Sequence, residues 1–410
     1  MQQPRLNILW QGLMVIVLGF SLLYLWFILF PGKVAPEALH YFSAEQISQG
    51  RDHSRSQQLL FLIGVLTEIL LIVWFIWSGK AAGFSGWLQR ANGGNYYRSS
   101  LLFFLALWVV LRLIHLPLSY FGSFYLQRKW GFSTQTLGSW WLDYLKGAGL
   151  DLIFSAFGVL LFFWILKHWP RTWWLVGASL FSIWLVVQNF IWPVVVSPLF
   201  NRFEPAKDPA ILSMVNELAS KADIPVDEVL VMDASRRTTR ANAYFAGLAG
   251  TKQIVLYDTL LKNYPPDQVK AVIAHEMAHW RQGHIIKGLT LGIIGNFLLW
   301  GLLFIFIRSV LPPSRYHPPY TWALTILFFL TVSFATSPLQ NTISRSMEKE
   351  ADQVSIQLTG DVAAAIGLQI NLVSKNSSDV SPPAFIEWFS YSHPAVLNRI
   401  HLLQQTNINP

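Results

Sequence analysis

Long apolar runs punctuated by short polar intervals set the pattern of this chain. Seven runs, at residues 7–30, 58–77, 100–120, 150–167, 172–196, 285–307 and 320–337, are long and apolar enough to cross a bilayer as helix, a crossing that takes about 20 residues. The first has no strongly charged leading region and no small-residue cleavage site, so it reads as a retained span and not a signal peptide. The seventh carries several Thr and Ser and is expected to stop at Pro338.

Two stretches depart from this pattern. Residues 198–284 predict an amphipathic helix over 209–222 and strands over 229–232, 242–245 and 253–257. Pro265, Pro266 and Asp267 then begin a further helix, since proline suits a first turn and an acid suits the positive end of the dipole. Residues 339–410 read as mostly helical. Neither stretch has the apolar content for a core of its own, so the two are expected to pack as one split domain. The expected division is 1–197 for spans one to five, 198–284, 285–338 for spans six and seven, and 339–410.

Composition supports a membrane setting. The chain is 53% hydrophobic, 15% aromatic and 13% charged, where a soluble domain carries about 25% charged residues. Its 19 Trp and 29 Phe suit lipid-facing helices and membrane interfaces. The net charge of +8 is scattered through short loops, which excludes a nucleic-acid face and makes the Lys and Arg topology signals. Those signals barely discriminate. Lys33, Arg51, Arg55, Arg128, Lys129 and Lys146 fall on one side and Lys80, Arg90, Arg98, Lys167, Arg171, Arg308 and Arg315 on the other. Arg236, Arg237 and Arg240 tip the 198–284 stretch toward the cytoplasm. With no Cys in the chain, disulfides and thiolate metal sites are excluded.

The chemistry sits at residues 275–279, His-Glu-Met-Ala-His, just before the sixth span. Residues four apart share a helix face, so His275 and His279 can point imidazole nitrogens at one metal ion. Glu276 lies about 100° round the helix, where it can reach a metal-bound water without ligating the metal. Zinc lowers the pKa of such a water toward ~7, and a carboxylate can take its proton. The pattern points to a zinc-dependent hydrolase at a bilayer. With Gly283 as the lone breaker before the span, a near-continuous helix would keep the metal close to the membrane surface.

Catalytic zinc usually takes three protein ligands. Glu348 and Asp352 share a helix face, so Glu348 can ligate and Asp352 can accept the second N–H of a ligating His. The competing reading is a solvated face in which Arg345 and Lys349 are salt-bridge partners. Glu350 points elsewhere and is expected in solvent.

Further blocks bear on the choice. Arg128-Lys129-Trp130-Gly131-Phe132-Ser133 follows the third span. Asn242-Ala243-Tyr244-Phe245-Ala246-Gly247 precedes a second block, 254–260. Trp280, Gly283 and His284 follow the pentad, and Ser392-His393-Pro394 with Arg399 lies near the end. Together with the pentad and the Glu348–Asp352 block, these resemble the type I CAAX prenyl protease family of integral-membrane gluzincin zinc metallopeptidases, over most of the chain.

The resemblance implies an all-α membrane protein with seven helices around a wet chamber. A mostly helical zinc-peptidase domain with a small β-sheet would cap it. It implies one Zn2+ per chain on His275, His279 and Glu348, with Glu276 as general base and Asp352 behind a ligand. His393 would stabilise the oxyanion. Arg399 would orient that region or touch substrate. Asn242 and Ala243 would lie on an edge strand that pairs with an extended peptide, and Tyr244 would pack in the core. His284 would hydrogen-bond structurally. Glu68, Arg112, His115, Asp151 and Asn189, costly against lipid, suit the chamber, although Arg112 and Asp151 could snorkel from span ends.

The expected partners are a lipid bilayer and a peptide or protein substrate, with no nucleic acid. The expected activity is endopeptidase cleavage of membrane-associated or prenylated protein tails. Alternatives are membrane-protein quality control without prenyl specificity, a metal-binding transporter or channel, an inactive scaffold and a site-2-type protease. The tail, Asn407 to Pro410, has no ER-retrieval signal. This suggests a prokaryotic plasma membrane over the ER, and there prenylated substrates are in doubt.

Overall fold

The computed structural model describes residues 6–246 and 252–406. Gly247 and the tail 407–410 lie outside the described residues. The apolar runs become helices α1 (Ile8–Leu29), α2 (Ala44–Trp77), the short α3 (Lys80–Ala91), α4 (Tyr96–Ser119), α5 (Leu137–His168) and α6 (Trp173–Ile191). A π-helical turn, Tyr120–Tyr125, carries α4 on to Lys129. The helix following the sheet-forming stretch is α10 (His284–Val310), and the last span opens α11 (Thr321–Thr359).

Six of these helices are long and apolar enough to cross a membrane. The run 172–196 is a seventh only as a bent pair, with a 50° turn beyond Asn189 where Pro193 interrupts the helix. The helices close a ring in which α1 packs on α2, α2 on α4, α4 on α5, α5 on α6, α6 on α10 and α10 on α1. The α11 helix packs against α1, α2 and α10. Trp10, Phe103, Phe163 and Phe328 are buried in this layer. Gly177 of α6 sits against the Trp300 ring of α10, where a Cβ would come within 2.1 Å.

The ring encloses cavities. One of about 670 Å³ is lined by aromatic and aliphatic groups such as Phe61, Phe162, Trp300 and Phe334. Another, of about 390 Å³, holds Glu68, Arg112, His115 and Asp151. His115 Nε2 lies 3.3 Å from Glu68 Oε2, and Arg112 pairs with Asp151. Arg112 and Asp151 thus neutralise each other on the cavity wall. Asn189 lies apart, bonded to the Leu185 carbonyl at 2.5 Å and lining a different cavity.

The second layer is built from β1 (Phe203–Pro205), α7 (Pro209–Ala222), β2 (Glu228–Met232), β3 (Ala243–Ala246), β4 (Gln253–Tyr257), α8 (Asp258–Asn263) and α9 (Pro266–Arg281). From the C-terminal stretch come α12 (Val362–Asn376), α13 (Ala384–Ser390) and α14 (Val396–Gln405). The sheet order is β1-β2-β4-β3, with β2 and β4 parallel and the other pairs antiparallel, so β3 is an edge strand. One core joins both stretches: Leu218, Leu256, Ile273 and Met277 pack with Ala351, Val354 and Leu368. Burying a side chain of this size stabilises the fold by ~1.5–3 kcal/mol, so neither stretch is complete without the other.

Two helix boundaries differ from expectation. The last span does not stop at Pro338, because α11 runs through it as one 39-residue helix. Proline takes away the N–H that would bond the Phe334 carbonyl, yet the helix continues through it; Thr336, Ser337 and Thr342 in the neighbouring turns donate to the carbonyls of Val332, Ser333 and Pro338 at 2.9, 2.9 and 2.7 Å. The metal helix is not continuous with the sixth span. Gly283 is left-handed, with φ 63°, and its N–H closes α9 onto the Trp280 carbonyl at 2.9 Å. Glycine adopts that conformation without a Cβ penalty, so the chain turns there.

Candidate active site

The α9 helix is buried along Val269, Ile273 and Met277, which turns His275 and His279 away from that core and leaves Glu276 at its margin. The α11 helix crosses it and delivers Glu348. One ligand atom each from His275, His279 and Glu348 falls within 4.8 Å of the others. His275 Nε2 lies 3.2 Å from His279 Nε2 and 3.2 Å from Glu348 Oε2, and His279 Nε2 lies 3.4 Å from Glu348 Oε1.

Each imidazole is held from behind. His275 Nδ1 faces Asp352 Oδ1 at 3.1 Å. Asp352 is clamped in turn by Arg399, Nε to Oδ2 at 2.8 Å and Nη2 to Oδ1 at 2.5 Å. His279 Nδ1 lies 2.9 Å from His284 Nδ1, and His284 Nε2 lies 3.0 Å from Glu350 Oε2. In the tautomers that suit metal ligation, the outer Nδ1 protons go to Asp352 and His284 and both inner Nε2 atoms present lone pairs. Two facing lone pairs beside a buried Glu348 oxygen that makes no hydrogen bond of its own repel one another. A cation between them removes that repulsion, so the donor set fits a divalent metal ion.

Glu276 and His393 complete the cleft. Glu276 lines a cavity of about 180 Å³ with Asn242, Ala243, His275, His393 and Arg399. Burial pushes the Glu276 carboxyl above its ordinary value, against the opposing pull of His275 and His279. His393 Nε2 lies 3.4 Å from Glu348 Oε2, while its Nδ1 is 2.9 Å from Ser392 Oγ. Burial lowers the His393 pKa and Glu348 only partly offsets this. In the tautomer in which the Ser392 hydroxyl donates to Nδ1, the proton lies on Nε2, on the side of Glu348.

The residues singled out in the sequence thus come together. Ala243 is buried and pairs with Leu256, Asn242 accepts from Tyr257 N at 3.1 Å, and both line the cleft beside α9. Arg399 is engaged with Asp352, which fits orientation over direct substrate contact. Tyr244 is half-buried and packs edge-on to Tyr257. Glu350 differs from expectation: it is part-exposed but pairs with His284 and, at 3.5 Å, with Lys287. Its signal is faint, because a partner 66 residues away leaves no spacing to read. Asp143 of α5 was also missed; it bonds Arg237 at 2.8 Å and ties the loop before β3 to the membrane layer.

Comparison with known proteins agrees with this arrangement. Residues 205–407 match the model of peptidase family M48, and residues 30–202 match the CAAX prenyl protease N-terminal region of five membrane helices. The chain is 30% identical to a Bacillus subtilis protein named uncharacterized metalloprotease YhfN, covering 93% of each chain. It is 30% identical to CAAX prenyl protease 1 of Saccharomyces cerevisiae, covering 74% of this chain and 72% of that one. The crystal structure of S. mikatae Ste24p superposes with a TM-score of 0.81 at 25% identity, over 98% of this chain and 100% of that one. Fold and site define a multi-pass membrane metalloprotease, with peptides or proteins as its substrates. The chain belongs to peptidase family M48, in its CAAX prenyl protease-like branch.

Proposed function

We propose that this enzyme is a zinc-dependent endopeptidase that cuts extended segments of membrane-associated protein tails, in the plasma membrane of a prokaryote. The observation that carries the reading is the meeting of His275, His279 and Glu348 atoms within 4.8 Å, with Glu276 in the adjoining cleft. One Zn2+ per chain would sit on those three residues. When bound, it supplies Lewis-acid polarisation of the scissile carbonyl and acidifies a water.

The protein groups do the rest. An extended peptide adds to the open edge of β3 at Asn242 and Ala243, which sets the carbonyl beside Glu276. Glu276 takes a proton from the attacking water as its oxygen adds to the carbonyl carbon. It then gives that proton to the leaving amine as the C–N bond breaks. His393 donates its Nε2–H to the oxyanion. Asp352 and His284 hold the ligand imidazoles in register.

A metal carrier needs no base that stays off the metal, so Glu276 separates the two readings. Detergent-purified protein is expected to contain one zinc per chain and to cleave a fluorogenic peptide in a chelator-sensitive way. Glu276→Gln should keep the zinc and lose cleavage by ~10²–10⁴-fold. Zinc-loaded wild type that cleaves no peptide, with Glu276→Gln indistinguishable from it, would favour the carrier and overturn the peptidase reading.

A further inference from the structure

Arg240 stands three residues before β3 and carries a charge that its surroundings leave unmatched. Its guanidinium lies over the Phe132 ring, 4.5 Å from the centroid, and its Nε is buried without a partner. Among the described residues its side chain makes no ion pair and no hydrogen bond. A half-buried cation without a counter-charge is costly, yet the fold holds it firmly. The loop of the Arg128–Ser133 block is bonded to this segment: Thr238 Oγ1 and Thr239 N donate to the Phe132 carbonyl at 2.9 and 3.2 Å, and Thr239 Oγ1 donates to the Gly131 carbonyl at 3.0 Å. Thr259 Oγ1 donates to the carbonyl of Arg240 itself at 2.7 Å.

The side chain lines a cavity of about 540 Å³ that shares Ala241, Leu372, His393 and Arg399 with the walls of the catalytic cleft. Tyr391 and His393 also line this cavity, and three further charged or titratable groups on it have bonding partners of their own. Arg399 is bound to Asp352. His53 Nδ1 is 2.9 Å from the Ser377 carbonyl. Asp379 accepts from Ser381 N at 3.0 Å. Direction matters as well. A peptide added antiparallel to β3 runs from Ala246 toward Ala243, so its C-terminal part leaves the strand at Asn242 and enters this cavity.

We propose that Arg240 is the receptor for a substrate carboxylate on the C-terminal side of the scissile bond, either the chain terminus or an acidic side chain. The inference rests on the peptidase reading and adds a specificity to it: cleavage is favoured a short distance upstream of a negative charge. The Phe132 face leaves the guanidinium edge free for the fork-like pairing that arginine makes with carboxylates.

The test uses full-length Glu276→Gln protein in detergent and fluorescence anisotropy. The probes are dye-labelled hexapeptides of alanine and valine in three forms: free acid, C-terminal amide, and amide with glutamate at the last position. The free acid should bind ~10-fold or more tightly than the plain amide. Adding Arg240→Gln should remove that preference while leaving amide binding unchanged, and Arg240→Lys should keep part of it. Tighter binding of the glutamate amide than of the plain amide shows that a side chain also serves. Equal affinity for acid and amide, or a preference that survives Arg240→Gln in protein with an unaltered melting point, overturns the proposal. Failure of the wild type to cleave any of the peptides would sink the peptidase reading instead, which separates the two failures.

Discussion

Arg399 closes on both carboxylate oxygens of Asp352, and Asp352 in turn faces His275. The pair is buried and lies at the meeting of α11 and α14. An Arg–carboxylate fork of this kind fixes direction as well as charge.

Removing one partner leaves the other charged and dry. Arg399→Ala should lower stability by ~3–5 kcal/mol, read as a shift in thermal unfolding in detergent. Asp352→Asn should weaken metal binding by ~10–100-fold, read by competition with a chelator. Unchanged metal affinity in Asp352→Asn would show that His275 needs no support from behind.

The second imidazole has a longer chain of support, from His279 through His284 to Glu350. His284→Ala should weaken metal binding by ~10-fold or more. Glu350→Gln should do less, since its side chain is 42% exposed and water can replace it. Metal titration of the two variants ranks them, and the reverse order would assign the support to something other than this relay.

His393 faces the cleft and is proposed to act on the oxyanion alone. His393→Ala should therefore lower kcat by ~10²–10³-fold with KM and zinc content little changed. A loss confined to KM would make it a substrate-binding group.

Asp258 secures the loop that leads to Arg240. It accepts from Ser235 N at 2.9 Å, Ser235 Oγ at 2.5 Å and Lys262 Nζ at 2.8 Å. Burial acts to raise its pKa, but Lys262 and Ser235 outweigh burial and the net shift is downward. A depressed carboxylate contributes stability above its ordinary pKa and loses it as the pH falls through the folded value. Asp258→Asn should thus cost about 1–3 kcal/mol at pH 7, with the deficit shrinking only below pH 3.8. Denaturant unfolding across pH measures this; a deficit independent of pH would point to packing instead of charge.

Much of this protein is determined locally. Runs of apolar residues make spans wherever they stand, because a backbone in lipid must bond to itself. Spacings of four on a helix put His275 with His279, and Glu348 with Asp352, on shared faces. The strand at 253–257 was legible for the same reason, as a short apolar run bounded by polar residues.

Other features depend on partners far along the chain. Whether Glu348 was a ligand or a solvated acid turned on how α11 crosses α9. Pro338 reads as a stop, yet α11 runs through it because the helix is held by its packing against α1, α2 and α10. Glu350 looked solvated until His284 was placed beside it. In one dimension Arg240 is one of three arginines in a basic loop; that its side chain has no ion-pair partner emerges only from the packing around it. The sequence by itself determined the spans, the metal-binding helix and the class of chemistry, since these rest on periodicity and residue type. Only the tertiary structure decided which carboxylates face which imidazoles and where the unmatched charge lies, because burial and distance arise from packing between segments that no local pattern connects.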